Sequence, residues 1–165
     1  MFAILTAVVV ALPPFQAGTL TFTKPPSWID RAVASSMRVA EFVVPKVPGD
    51  TEDGELIIYY FGGGGGSVDA NLQRWASQFQ STKEPVRTSA VVNDLKLSSL
   101  DVSGTYVAEM RPGSTEHFNK PGFRMRATVV ETPKGPYFIK LTGPDKTIDS
   151  AGTAFDQFLK SLAFK

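Results

Sequence analysis

The sequence predicts an α+β fold: a mostly antiparallel β-sheet covered by two amphipathic helices. Three observations lead there. Short runs of β-branched and aromatic residues recur along the chain, punctuated by Pro- and Gly-rich turns. The connections between most of these runs are too short for the crossovers that parallel strands require. Two other stretches, Val68 to Phe79 and Ile148 to Leu162, carry apolar residues at three- and four-residue spacing, the pattern of helices that bury one face.

The totals set bounds on function. At 165 residues the chain suits one domain, which buries roughly 70% of the surface its unfolded form exposes. A net charge of +1 and the absence of a long basic run argue against nucleic acid or an anionic membrane as partner. With no cysteine, disulfides, thiolate catalysis and Cys-ligated metals are excluded. His117 is the single histidine, so one chain cannot build a multi-histidine metal site.

Taken in order, Met1 to Leu12 is apolar and is followed by Pro13-Pro14 and Phe15-Gln16-Ala17-Gly18. The run is too short to span a bilayer as a helix and suits the core of a signal peptide, with processing after Ala17. No Lys or Arg precedes it, and a buried β-strand is the alternative, given Val8-Val9-Val10. The expected organisation is a signal peptide over 1–18 and a single α+β domain over 19–165, working outside the cytoplasm with no stable membrane span after processing. Thr19 to Thr23 alternates as a short half-buried strand, ended by Lys24-Pro25-Pro26-Ser27-Trp28. Met37 to Val44 reads as a strand with Ala40, Phe42 and Val44 on one face. Glu55 to Phe61 is apolar on both faces and belongs at the sheet centre. Gly62 to Gly66 connects it to the first helix, whose face is Val68, Leu72, Trp75, Ala76 and Phe79, with Ser67 as N-cap. Val86 to Val92 and Lys96 to Val102 form a hairpin turning at Asn93-Asp94, and Gly104 to Met110 extends it. Arg111 to Gly122 is a loop. Phe123 to Glu131 and Tyr137 to Thr142 are strands around the turn at Thr132 to Pro136. The second helix carries Ile148, Ala151, Phe155, Phe158, Leu159 and Leu162, capped by Asp145 or Thr147.

This order of elements resembles the PsbP/Mog1-like α/β-sandwich group. The resemblance is carried by the early strand ending in Lys24-Pro25-Pro26-Ser27-Trp28, the strand before the glycine-bounded helix, the hairpin Thr128 to Phe138, and the terminal helix ending Phe155-Asp156-Gln157-Phe158-Leu159-Lys160-Ser161-Leu162. It covers most of the chain from Thr19 onward as a pattern of elements, and it transfers no functional residue. The chain also resembles uncharacterised secreted bacterial proteins of that shape. The resemblance implies a binding or assembly module, with a protein partner or a small ligand and no cofactor.

Four stretches have the residue types for chemistry. The glycines at a helix start, with Gly63, Gly64, Gly65 and Ser67 as the contacting residues, can cradle an anion through free N–H groups. A nucleotide-binding P-loop would continue with Lys and Ser or Thr, whereas Ser67-Val68-Asp69 follows here. Asp69 opposes a bound phosphate, and the run also reads as a tight connector. Arg124 and Arg126 share a strand face and form either an anion-binding surface or an ion-paired one. Asp50, Glu52, Asp53 and Glu55 can ligate Ca²⁺, in a spacing unlike an EF-hand, or cap a strand edge as a solvated acidic loop. His117 as a general base would need a nucleophile and an orienting group; Ser114 and Asp101 are the residue types present, but nothing in the sequence brings the three together, and a loop histidine otherwise reads as exposed. The expectation is a non-catalytic extracytoplasmic binding or assembly module. The alternative is an anion- or phosphate-binding protein, or an enzyme, using Gly62 to Gly66.

Overall fold

The structure, a computed structural model, describes residues 14–81 and 83–165. The apolar run Met1 to Leu12, on which the export expectation rests, lies outside the described residues.

The elements in chain order are β1 (Phe15–Ala17), β2 (Leu20–Phe22), β3 (Ile29–Arg31), β4 (Arg38–Val44), β5 (Gly54–Tyr60), α1 (Val68–Ala76), β6 (Phe79–Gln80), β7 (Val86–Val92), β8 (Leu95–Tyr106), β9 (Lys120–Glu131), β10 (Tyr137–Pro144), α2 (Asp145–Ser150), α3 (Gly152–Lys160) and β11 (Ala163–Phe164). Eight strands make one sheet, in the order β3-β4-β5-β10-β9-β8-β6, with β7 also paired to β8. A small second sheet has the order β1-β2-β11. Every pairing among the described residues is antiparallel. The protein is thus an α+β sandwich, mostly antiparallel sheet with three short helices.

The large sheet separates two apolar clusters. On one face, Ala40, Phe42, Leu56, Ile58, Val130, Ile139 and Leu141 pack with Ile148, Phe155 and Phe158 of α2 and α3 and with Leu20 and Phe22 of the small sheet. On the other, Val102, Met125, Ala127, Val129 and Phe138 pack beneath Leu72 and Trp75 of α1. The period of two along each strand divides the residues in this way. The central position expected for Glu55 to Phe61 is observed, since β5 lies between β4 and β10.

Several elements differ from the sequence expectation, each for a physical reason. The Thr19 to Thr23 strand is wholly buried over Leu20–Phe22, not half-buried, because α3 packs on one side of it and β1 and β11 flank it. Phe79 belongs to β6, past the end of α1, and still enters the same cluster as Trp75. The second helix breaks at Ala151 into α2 and α3. Neither Asp145 nor Thr147 caps α2 with its side chain. The cap comes from Asp50, whose Oδ2 accepts from Thr147 N at 3.0 Å and from Thr147 Oγ1 at 2.6 Å. Phe15 to Ala17, placed by the sequence beside a processing site, pairs with β2, and Ala17 is buried.

Candidate functional site

The glycine connector folds inward. Gly63 lies against Lys134 O, and its Cα is 2.4 Å from where a side chain on Gly135 would begin. Gly65 has φ +116, and the ring of Phe138 fills the space its Cβ would need, at 2.6 Å. Gly64 is not among the positive-φ glycines, and a side chain there would meet only Phe61 O, at 3.6 Å. Ser67 caps α1 as the sequence predicts, its Oγ accepting from Ala70 N at 3.2 Å. The Asn71 amide donates to Gly65 O and Ser67 O. These bonds tie the connector to the helix start.

Arg124 and Arg126 share a face of β9, but it is the opposite face from α1 and the connector. The two candidate anion-binding stretches therefore lie on opposite faces of the sheet. Arg124 holds Asp101 in a two-point pair at 2.8 and 2.7 Å and reaches Asp149 at 3.2 Å. These hydrogen bonds outweigh burial and raise its pKa. Arg126 pairs with Asp156 at 2.7 Å and lies over the Phe155 ring. A cavity of about 520 Å³ between β7 and α3 borders this cluster, but its guanidinium is already neutralised by Asp156.

The acidic loop is also absorbed into the fold. Asp50 caps α2, Asp53 accepts from Lys46 N, Glu52 pairs with Lys120 at 2.7 Å and Glu55 with Arg31 at 2.6 Å. Among the described residues no metal-binding cluster forms. His117 Nδ1 is 2.8 Å from Val107 O. Ser114 Oγ accepts from Glu116 N, and Asp101 is on the far face with Arg124, so these three do not assemble.

The structure instead opens a cleft of about 630 Å³ on the α1 face. Its floor is the outward row of β5 and β10, with Ile57, Tyr59, Phe138 and Lys140. Its walls are the C-terminal end of α1 with Arg74 and Trp75, Gln78 just beyond it, Tyr106 at the end of β8, and the β8–β9 loop with Ala108 and Phe118. That loop is folded back by a bridge between Glu109 and His117 and by Phe118 N donating to Ala108 O. Burial raises the pKa of Tyr59, and pushes Tyr106 up to about 12. Lys140, half-buried in the floor, donates to Gln78 Oε1 at 3.1 Å. Withdrawal from water pulls its pKa down to about 8; Glu55 opposes this, while Arg74 and Arg38 add to it.

Sequence reasoning missed this site because its residues come from five separate elements. One signal was present: Lys140 interrupts the apolar strand Tyr137-Phe138-Ile139-Lys140-Leu141, where a charge on a covered sheet face is costly.

No protein-family profile and no curated protein sequence matches the chain. Solved structures do match. PsbP (CyanoP) from Synechocystis sp. PCC 6803 has a TM-score of 0.58 at 13% identity, covering 100% of this chain and 99% of its own. PA94 from Pseudomonas aeruginosa, a protein of unknown function described as a candidate regulator, has a TM-score of 0.57 at 14% identity, covering 93% of this chain and 96% of its own. At these identities the likeness concerns architecture: the chain has a PsbP-like α+β sandwich fold.

Proposed function

We propose that the chain is a non-catalytic binding module that takes a small ligand in the cleft beside α1. The observation that carries the reading is the cleft itself. It has the size usual for small-molecule sites, and apolar and aromatic side chains make up just over half of its lining, with polar groups among them. The binding role also accords with the resemblance to PsbP-like sandwiches, as analogy, since a fold does not fix a function.

A thermal-shift panel of small acids, amides, phosphates, nucleotides and Ca²⁺ tests the reading. A ligand of the folded state raises Tm by mass action. The expected result is a rise with one or more of the small acids or amides that is lost in S77W, which places a large ring at the cleft wall. A flat response across the panel overturns the reading. A rise with phosphates that survives S77W moves the site to the connector Gly62 to Gly66, the competing interpretation. The bonds that Ser67 and Asn71 make there favour the cleft.

We further propose that the protein works outside the cytoplasm, on the strength of the apolar run Met1 to Leu12. Removal of β1 by cleavage after Ala17 would expose the core position of Ala17 and strip the partner of β2. A cut ahead of Phe15 keeps both. N-terminal sequencing of the mature protein distinguishes these, and an intact Met1 overturns export by a cleaved signal.

A further inference from the structure

The cleft combines aromatic walls with charged side chains, the cations Lys140, Arg74 and Arg38 and the carboxylates Glu55 and Glu109. Lys140 and Arg74 both line it. Arg74 donates to Asn71 Oδ1 at 2.6 Å and Lys140 to Gln78 Oε1 at 3.1 Å, both neutral acceptors. Among the described residues neither has an ion-pair partner. Arg38, the other arginine lining the cleft, is paired with Glu41. Burial and the nearby guanidinium groups of Arg74 and Arg38 disfavour the Lys140 ammonium, Glu55 offsets this only in part, and a bound anion would relieve the remainder.

We infer that the ligand of this cleft is an amphiphilic carboxylate, with its apolar or aromatic body against Tyr59, Trp75, Phe118 and Phe138 and its anionic head at Lys140 and Arg74. This rests on the reading that the cleft is the binding site. An ammonium and a guanidinium form charge-assisted hydrogen bonds with a carboxylate, about twice as strong as neutral ones. The aromatic walls supply the area that a small inorganic anion cannot use. A ligand without the charge leaves Lys140 desolvated and unpaired.

The charge on Lys140 gives the site a pH dependence of known sign. Its pKa in the free protein is about 8, so the ammonium is present below that pH and disappears above it. The remaining titratable groups at the cleft are Arg38 on β4, Glu55 and Tyr59 on β5, Tyr106 on β8, and Glu109 and His117 in the loop. Both tyrosines are raised and stay neutral across this range. Glu55 is held by Arg31, and Glu109 accepts from Gly113 N.

Calorimetric titration of the full chain with 4-phenylbutyrate and decanoate, and with 4-phenylbutyramide as neutral isostere, tests the inference. The acids bind about ten- to a hundredfold tighter than the amide, the range expected for hydrogen bonds to a charged group. Their affinity falls as pH rises past 8. K140M, which keeps the apolar stem, removes both the preference and the pH step. R74Q reduces the preference, and H117Q leaves the step in place. Two results separate the inference from the reading beneath it. If acid and amide bind equally and S77W blocks both, the cleft stands and the carboxylate inference falls. If the acid binds S77W as well as it binds the unaltered protein, both fall. Absence of binding by every acid also overturns the inference.

Discussion

Glu41 is a carboxylate almost closed to water, with a side chain 2% exposed. Three donors meet it: Ala34 N at 2.7 Å, Arg31 Nε at 3.0 Å and Arg38 NH1 at 3.0 Å. Burial pushes its pKa up, but the Ala34 N–H and the two guanidinium groups outweigh that, and the net shift is downward. The folded pKa therefore lies below the unfolded one. The stabilisation is complete above the unfolded carboxylate pKa of about 4.3 and is lost as pH falls through the lower folded value. E41Q is expected to cost about 2 kcal/mol at pH 7, the loss of charge-assisted hydrogen bonds, since the arginines left behind are partly exposed and Arg31 keeps Glu55. Urea unfolding over a pH series checks this: the gap between the proteins should close at acid pH, and a constant gap would refute the linkage.

At the scale of the element, the connector Gly62 to Gly66 is informative because its glycines are not equivalent. Gly65 needs both a left-handed backbone and the space taken by Phe138, whereas Gly64 needs neither. G65A is expected to destabilise by about 1–3 kcal/mol through backbone strain and the ring contact. G64A should be neutral or raise stability by up to about 1 kcal/mol, by restricting the unfolded chain. Thermal melts of the two variants decide it, and equal losses would contradict the geometry. Much of this element was legible in the sequence: an apolar strand, a glycine run, and Ser67 in capping position. The choice of glycine was not, because φ at each position follows from where Phe138 and Gly135 pack. The helix break at Ala151 was hidden for a related reason. Ile148, Ala151, Phe155 and Phe158 keep a helical period across it. The cap from Asp50 was hidden by 97 residues of sequence separation.

For the whole molecule, the sheet governs how changes combine. Leu72 lies in the cluster under α1 and Ile148 in the cluster under α2 and α3. L72A should cost about 3 kcal/mol and I148V about 1 kcal/mol. With a β-layer between them, the double variant should match the sum to within about 0.5 kcal/mol; a larger departure in denaturant unfolding would show that the sheet transmits repacking. The antiparallel architecture was readable from short connections and from two amphipathic stretches. The cleft was not, since Arg74, Gln78, Tyr106 and Lys140 converge only through the order in which the strands are laid side by side. The two-cluster arrangement also bears on how such a chain can change over generations. The larger cluster, sealed by α2, α3 and the small sheet, can hold the fold while the wall residues around Lys140 are exchanged. Under the proposed binding role, exposed wall positions such as Ser77 can change what the cleft takes while Trp75 and Phe138, which belong to the core, stay fixed.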